Sequence, residues 1–194
     1  MWVEPVTLEG RVVRLEPLTL DHVDNLWQAA EPEQFLYTVM WEKNSTLEEF
    51  RANAERVLAL PNFLTFVTVL RETGQAIGST SYLEITPPHR SLSIGATWIA
   101  RPYQGTQVNP EAKYLMLRHA FEKLGAVRLQ LKCDSRNEHS ARAIAKLGAV
   151  REGTLRKAMV LPDGYIRDTV VFSILDSEWP AVKKGLEERL GYVP

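Results

Sequence analysis

Cysteine occurs once among the 194 residues, as Cys133, so an internal disulfide and a multi-cysteine metal cluster are both excluded. A reducing compartment is the setting that agrees with such sparse use. The four histidines form no HExxH or comparable ligand spacing, and no metal site is expected. No apolar run approaches the roughly 20 residues that span a bilayer, and the opening MWVEPVTLEG lacks the basic-then-apolar layout of a signal peptide. A soluble cytoplasmic protein without a membrane partner is therefore expected. An excess of either charge is missing too: Lys+Arg 23 against Asp+Glu 24 leaves a formal net charge of −1 and no electrostatic footprint for nucleic acid. Repeats, low-complexity tracts and long polar linkers are likewise lacking. With 45% hydrophobic residues, the chain reads as one domain over residues 1–194 with a sizeable core.

What is present alternates between two periods. Residues 11–15 alternate as a half-buried strand does and stop before Pro17. Thr19 then caps a helix whose stripe is Val23, Leu26, Trp27 and Ala30, ended by Pro32. A second helix opens on a capping box of Ser45 and Glu48 and carries Leu47, Phe50, Ala54, Val57 and Leu58 along one side. Between them, Phe35, Tyr37 and Trp41 stand in a polar segment, either lining a groove or buried under a loop. From Phe63, FLTFVTVL, AIGSTSYLEI and SLSIGATWIA predict three strands of an antiparallel meander. After a further helix, VRLQLKC alternates strictly and places Cys133 on the apolar face, a core position. A loop and short helix follow, DSRNEHSARAIAKLGA. A hairpin turning at Asp163-Gly164 and a helix starting near Ser177 complete the chain.

The meander feeds into ATWIARPYQGTQVNPEAKYLML, residues 96–117: strand, glycine turn, helix. Asn109 fits an N-cap, Pro110 the first helical position and Glu111 the positive end of the helix dipole. The backbone N–H groups of Gly105, Thr106, Gln107, Val108 and Asn109 are then free to face a phosphate. An ordinary strand-to-helix turn has the same local sequence.

Four features in order resemble the GNAT family of acyl-CoA-dependent N-acetyltransferases, in its RimJ/RimL-like branch. They are the turn Gln104-Gly105-Thr106-Gln107-Val108-Asn109 in place of Q/R-x-x-G-x-G/A, HAFEKLGAVRLQLK, Asn137-x-x-Ser140 before AIAKLGA, and EGTLRK, DGYIRDT and FSILDSEW. The two later glycines of the family turn are Gln107 and Asn109 here. Where relatives often carry a glutamate before Ile-Gly, this chain has Ser93. The resemblance implies an α+β (mixed α/β) fold: one domain whose central, mostly antiparallel twisted sheet splays at the acetyl-CoA site and is flanked by helices.

It also implies acetyl transfer from acetyl-CoA to a primary amine, with a protein N-terminal α-amino group as the expected acceptor. A small amine (polyamine, amino acid or aminoglycoside) or a non-catalytic CoA-binding domain are the alternatives. By resemblance, residues 104–109 hold the pyrophosphate, the backbone around Trp98 and Ile99 serves the pantetheine arm and the oxyanion, Asn137 binds the arm, and Ser140 donates to the departing thiolate. Asn137 and Ser140 would cap the next helix equally well. Glu84 and His89 are the candidates for a base. The resemblance further admits a homodimer.

Overall fold

The computed structural model describes residues 2–35, 37, 46–161 and 163–192. The expected Trp41 and the Ser45 cap lie outside them. Eight strands form one sheet in the order β1-β2-β3-β4-β5-β6-β8-β7. They are β1 (Leu8–Glu9), β2 (Val13–Pro17), β3 (Leu64–Leu70), β4 (Ala76–Thr86), β5 (Ser91–Ile99), β6 (Arg128–Asp134), β7 (Val150–Val160) and β8 (Ile166–Leu175). Every pairing is antiparallel except β5 with β6. That exception positions the site, because two parallel neighbours deliver their C-terminal ends to the same edge of the sheet.

Among the described residues five α-helices cover the sheet: α1 (Val23–Ala29), α2 (Leu47–Leu58), α3 (Val108–Arg118), α4 (Glu138–Ala145) and α5 (Trp179–Leu190). The apolar residues fall into two buried clusters, as expected for a sheet with both faces covered. Leu115, Met116 and Leu117 of α3 pack with Leu129 and Leu131 of β6, Ile144 of α4 and Leu186 of α5 in one. Leu26 of α1 and Phe50 of α2 pack with Val67, Val69 and Trp98 in the other. Cys133 is buried in the first, as its alternation predicts.

Local boundaries depart from the sequence reading in two places. The strand expected over residues 11–15 is β2, Val13–Pro17, and is preceded by the short β1 that the sequence did not suggest, because residues 10–12 turn back onto β1. The capping box of α2 is Thr46 with Glu49, one residue later than expected: Thr46 Oγ1 accepts from Glu49 N at 3.2 Å and Glu49 Oε2 from Thr46 N at 3.3 Å.

The sheet opens between β5 and β6. Their rungs run only from Ser91–Arg128 to Ile94–Leu131, although both strands continue. A bulge starts where the pairing stops. Ser79 faces Trp98 and Ser81 faces Gly95, so Thr80 of β4 is opposed by both Ala96 and Thr97 of β5. Ala96 has φ 49, the left-handed region that alanine rarely occupies. At Gly78, a Cβ would overlap the carbonyl oxygen of Trp98, so glycine permits the close approach of β4 to β5 beyond the bulge.

Candidate active site

The opening is bounded by two strand-to-helix turns. After β5, residues Arg101–Tyr103 make one 3₁₀ turn, and Gln104 Nε2 donates back to Ile99 O at 2.9 Å. Gly105 turns the chain at φ 75, where a side chain would be strained. Thr106 Oγ1 donates to Tyr103 O at 2.7 Å and accepts from Val108 N at 3.3 Å. The backbone N–H groups of Gly105, Thr106, Gln107 and Asn109 have no intramolecular acceptor among the described residues. They sit at the start of an eleven-residue helix, where the dipole also favours negative charge.

Three assignments at this turn need correction. Asn109 is not the N-cap: Gln107 is already helical at φ −73, ψ −11, and α3 starts at Val108. The Thr106 hydroxyl takes the capping role that Asn109 could have filled, and the Asn109 Oδ1 atom is buried without a partner. Pro110 is therefore third in the helix rather than first, still within the turn where its missing N–H costs nothing. Glu111 does not address the dipole. Its carboxylate, fully buried, accepts from Arg11 N at 2.9 Å, Val12 N at 2.8 Å and Val13 N at 2.6 Å, and from the Tyr192 hydroxyl.

The other lip follows β6. Asn137 N donates to Asp134 O at 2.9 Å, and Asn137 Oδ1 accepts from Ser140 N at 2.9 Å, so Asn137 caps α4. Burial raises the Cys133 thiol pKa, outweighing the opposing pull of Arg167 and Ser140, which leaves the sulfur a poor nucleophile. Trp98 and Ile99 lie on β5 beyond its last rung with β6, their side chains buried in opposite clusters. The edge of Phe35 meets the Trp98 ring at a centroid distance of 5.2 Å. The structure thus brings residues 98–99, 104–109, 137 and 140 to one edge of the sheet, around one opening.

Glu84 stands beside the start of that opening. Ser93 Oγ donates to Glu84 Oε2 at 2.5 Å, and Lys132 Nζ donates to its two oxygens at 2.7 and 2.6 Å. Burial resists ionisation of this carboxyl, yet the bonds from Lys132 and Ser93 prevail and hold its pKa below the usual range. His89 lies in the β4–β5 connection, at the end of β5 remote from the Gly105 turn. The sequence reading missed a further group, Lys113 of α3. It is 5% exposed and donates to Thr80 Oγ1 at 2.8 Å and Thr97 Oγ1 at 2.6 Å. The signal was available: Asn109, Lys113 and Met116 stand at i, i+4 and i+7, one stripe of a buried helix.

Known proteins share this fold. Residues 13–150 match the family described as acetyltransferase (GNAT) domain. A protein of T. thermophilus, solved as a candidate acetyltransferase, is 44% identical, with 98% of this chain and 100% of that chain covered at a TM-score of 0.91. A GCN5-related N-acetyltransferase from Brucella melitensis is 31% identical, with 98% and 87% covered at 0.93. The chain belongs to the GNAT acetyltransferase family. Among curated proteins, the ribosomal-protein-serine acetyltransferase of Escherichia coli is 27% identical over 104 residues, 54% of this chain and 58% of that protein. The chain spans less than two thirds of the length of the curated relatives it matches. Among the described residues no helix is long and apolar enough to cross a membrane, and no cluster of His, Cys, Asp and Glu could hold a metal ion.

Proposed function

We propose that the chain transfers an acetyl group from acetyl-CoA to a primary amine, with a protein N-terminal α-amino group as acceptor. The observation that carries this reading is the opening between parallel strands β5 and β6, with uncommitted amides of residues 105–107 and 109 on one lip and α4 on the other. Acetyl-CoA supplies a thioester, whose acyl carbon the amine attacks as the CoA thiolate leaves. The residues present fit it. Gly105 alone needs a left-handed backbone, and Gln107 and Asn109 occupy helical positions where glycine would bring no advantage. Four N–H groups without an intramolecular acceptor, at the start of a helix, suit a pyrophosphate.

The backbone of β5 around Trp98 and Ile99, beyond the last rung with β6, would pair with the pantetheine arm and donate to a developing oxyanion. Asn137 would use its amide nitrogen for the arm, its oxygen being engaged by the cap. Ser140, at the start of α4, would donate its hydroxyl to the leaving sulfur. Glu84, kept ionised by Lys132 and Ser93, would attract the acceptor's ammonium. It need remove little proton affinity from an α-amino group. With a reference pKa near 8 against 10.4 for lysine, that group costs about 3 kcal/mol less to deprotonate. The relative in E. coli, a ribosomal-protein-serine acetyltransferase, supports a protein acceptor, and hence a cytoplasmic site of action.

Calorimetric titration with CoA, followed by a thiol-release screen against N-terminal peptides and small amines, tests the reading. Turnover on peptides is the expected result. Binding without turnover on any amine would favour a CoA-binding domain instead, and turnover confined to small amines would replace the acceptor.

A further inference from the structure

Lys113 has a place that packing alone does not require. Its ammonium is buried with hydroxyls as its only bonded partners among the described residues, and burial without a compensating carboxylate holds its pKa at about 7. Such a group is costly in an interior, and a methionine would fill the same space without that cost. Its two partners are specific. Thr80 is the β4 residue opposed by two residues at the bulge, and Thr97 is one of those two. Their hydroxyls lie 2.8 Å apart, so Nζ and the two Oγ1 atoms close a triangle across the strands. Ala96, beside Thr97, holds its left-handed φ of 49 within this clamp, and sparsely populated backbone conformations persist only where the surroundings over-determine them. Directly beyond the bulge, β5 no longer pairs with β6.

The geometry points to Lys113 as a positioning residue for acetyl transfer. It clamps Thr80 to Thr97, fixes the bulge at Ala96, and so holds the stretch of β5 that has parted from β6 in place along the opening. This rests on the acetyl-transfer reading of that opening. Lys113 acts through the strand and does not meet the phosphates, which the turn before α3 would hold.

The test compares wild type, Lys113→Met, Thr97→Val and the double variant in three measurements: thiol release, CoA titration, and hydrogen exchange of the amides of residues 95–99. Lys113→Met should lower kcat about 10- to 100-fold, the scale of a small misplacement of reacting groups. Its KM for acetyl-CoA and Kd for CoA should move less than about threefold, since the phosphate turn is untouched. Exchange at residues 95–99 should quicken while the rest of the sheet is unchanged. Thr97→Val should show the same effects in weaker form, and the double variant should be no worse than Lys113→Met, because both break one clamp. Unchanged kcat and exchange in Lys113→Met, or strictly additive losses, would overturn the inference. Should Lys113→Met not fold, the Thr80→Val/Thr97→Val pair removes the same bonds and carries the same expectations. A wild type that neither binds CoA nor turns over refutes the acetyl-transfer reading itself, whereas the exchange comparison reports the clamp independently of turnover.

Discussion

Replacing Lys113 should produce a protein that is more stable and less active, and the stability half can be worked out from its ionisation. The ordinary value of 10.5 falls to about 7 in the folded state because burial penalises the ammonium. Below pH 7 the group is charged both folded and unfolded, and the folded state carries the whole cost of burying the charge. Between pH 7 and 10.5 the unfolded chain still binds a proton that the folded chain has released, so stability rises with pH. At about 1.4 kcal/mol per unit, the displacement from 10.5 to about 7 amounts to roughly 5 kcal/mol over the full range. Roughly 2 to 3 kcal/mol of this falls between pH 7 and 9. Lys113→Met removes the titration. Urea unfolding of both proteins at pH 6, 7, 8 and 9 therefore gives a stability difference in which the other ionisable groups cancel. The variant should have its greatest advantage at pH 6, and that advantage should shrink steadily above pH 7. A difference independent of pH would refute the burial argument. A variant less stable at every pH would show that the two threonine bonds outweigh the cost of the buried charge.

Ser140→Ala should lower kcat by about 100-fold or less while leaving the Kd for acetyl-CoA nearly unchanged, since the hydroxyl acts as charge develops on sulfur; full kcat in a stably folded variant removes Ser140 from the mechanism. Glu111→Ala strands three backbone N–H groups and the Tyr192 hydroxyl, and should cost roughly 3 to 5 kcal/mol in urea unfolding. A loss under about 1 kcal/mol would mean that water replaces the carboxylate freely. Homodimerisation is expected through β7, the last strand of the sheet order, where Val150, Leu155, Met159 and Val160 are exposed. Light scattering that returns a monomer mass at high concentration would remove it.

Most of the elements could be read from the chain because they carried their own period, though the two-residue β1 was too short to do so, and the turn before α3 could be read because Gly105 and Pro110 punctuate it. What failed was competition between neighbours. Asn109 is a good cap by residue type, but the Thr106 hydroxyl reaches Val108 N and the helix starts without it. Capping preference says which residues suit the role, not which of several will take it. Glu111 was misread for a different reason: its partners Arg11, Val12 and Val13 lie about a hundred positions away and follow from tertiary packing alone. The opening itself was expected from family resemblance and not from the residues. Its cause, two residues of β5 against one of β4, belongs to the pairing of strands and leaves no mark in the alternation of SLSIGATWIA.

These unforeseen contacts share a consequence for the turn before α3. Three buried polar links fasten the helix to the sheet: Glu111 to the β1–β2 turn, Lys113 to the bulge, and the Tyr82 hydroxyl to Met116 O at 2.5 Å. They lie within six consecutive residues of α3 and reach β2, β4 and β5, so the helix is held against sliding and rotation. The amides of Gly105, Thr106 and Gln107 precede the first of these anchors by only a few residues, and the Gln104–Ile99 bond ties the same turn back to β5. A phosphate bound there meets donors whose positions are already fixed, and little ordering entropy is lost on binding. Glycine at 107 and 109 would loosen that arrangement, because both positions lie in the regular helical region where a side chain restricts the unfolded chain more than the folded one. The glutamine and asparagine that depart from the family's glycine-rich turn are in that sense suited to a turn whose rigidity comes from the helix behind it.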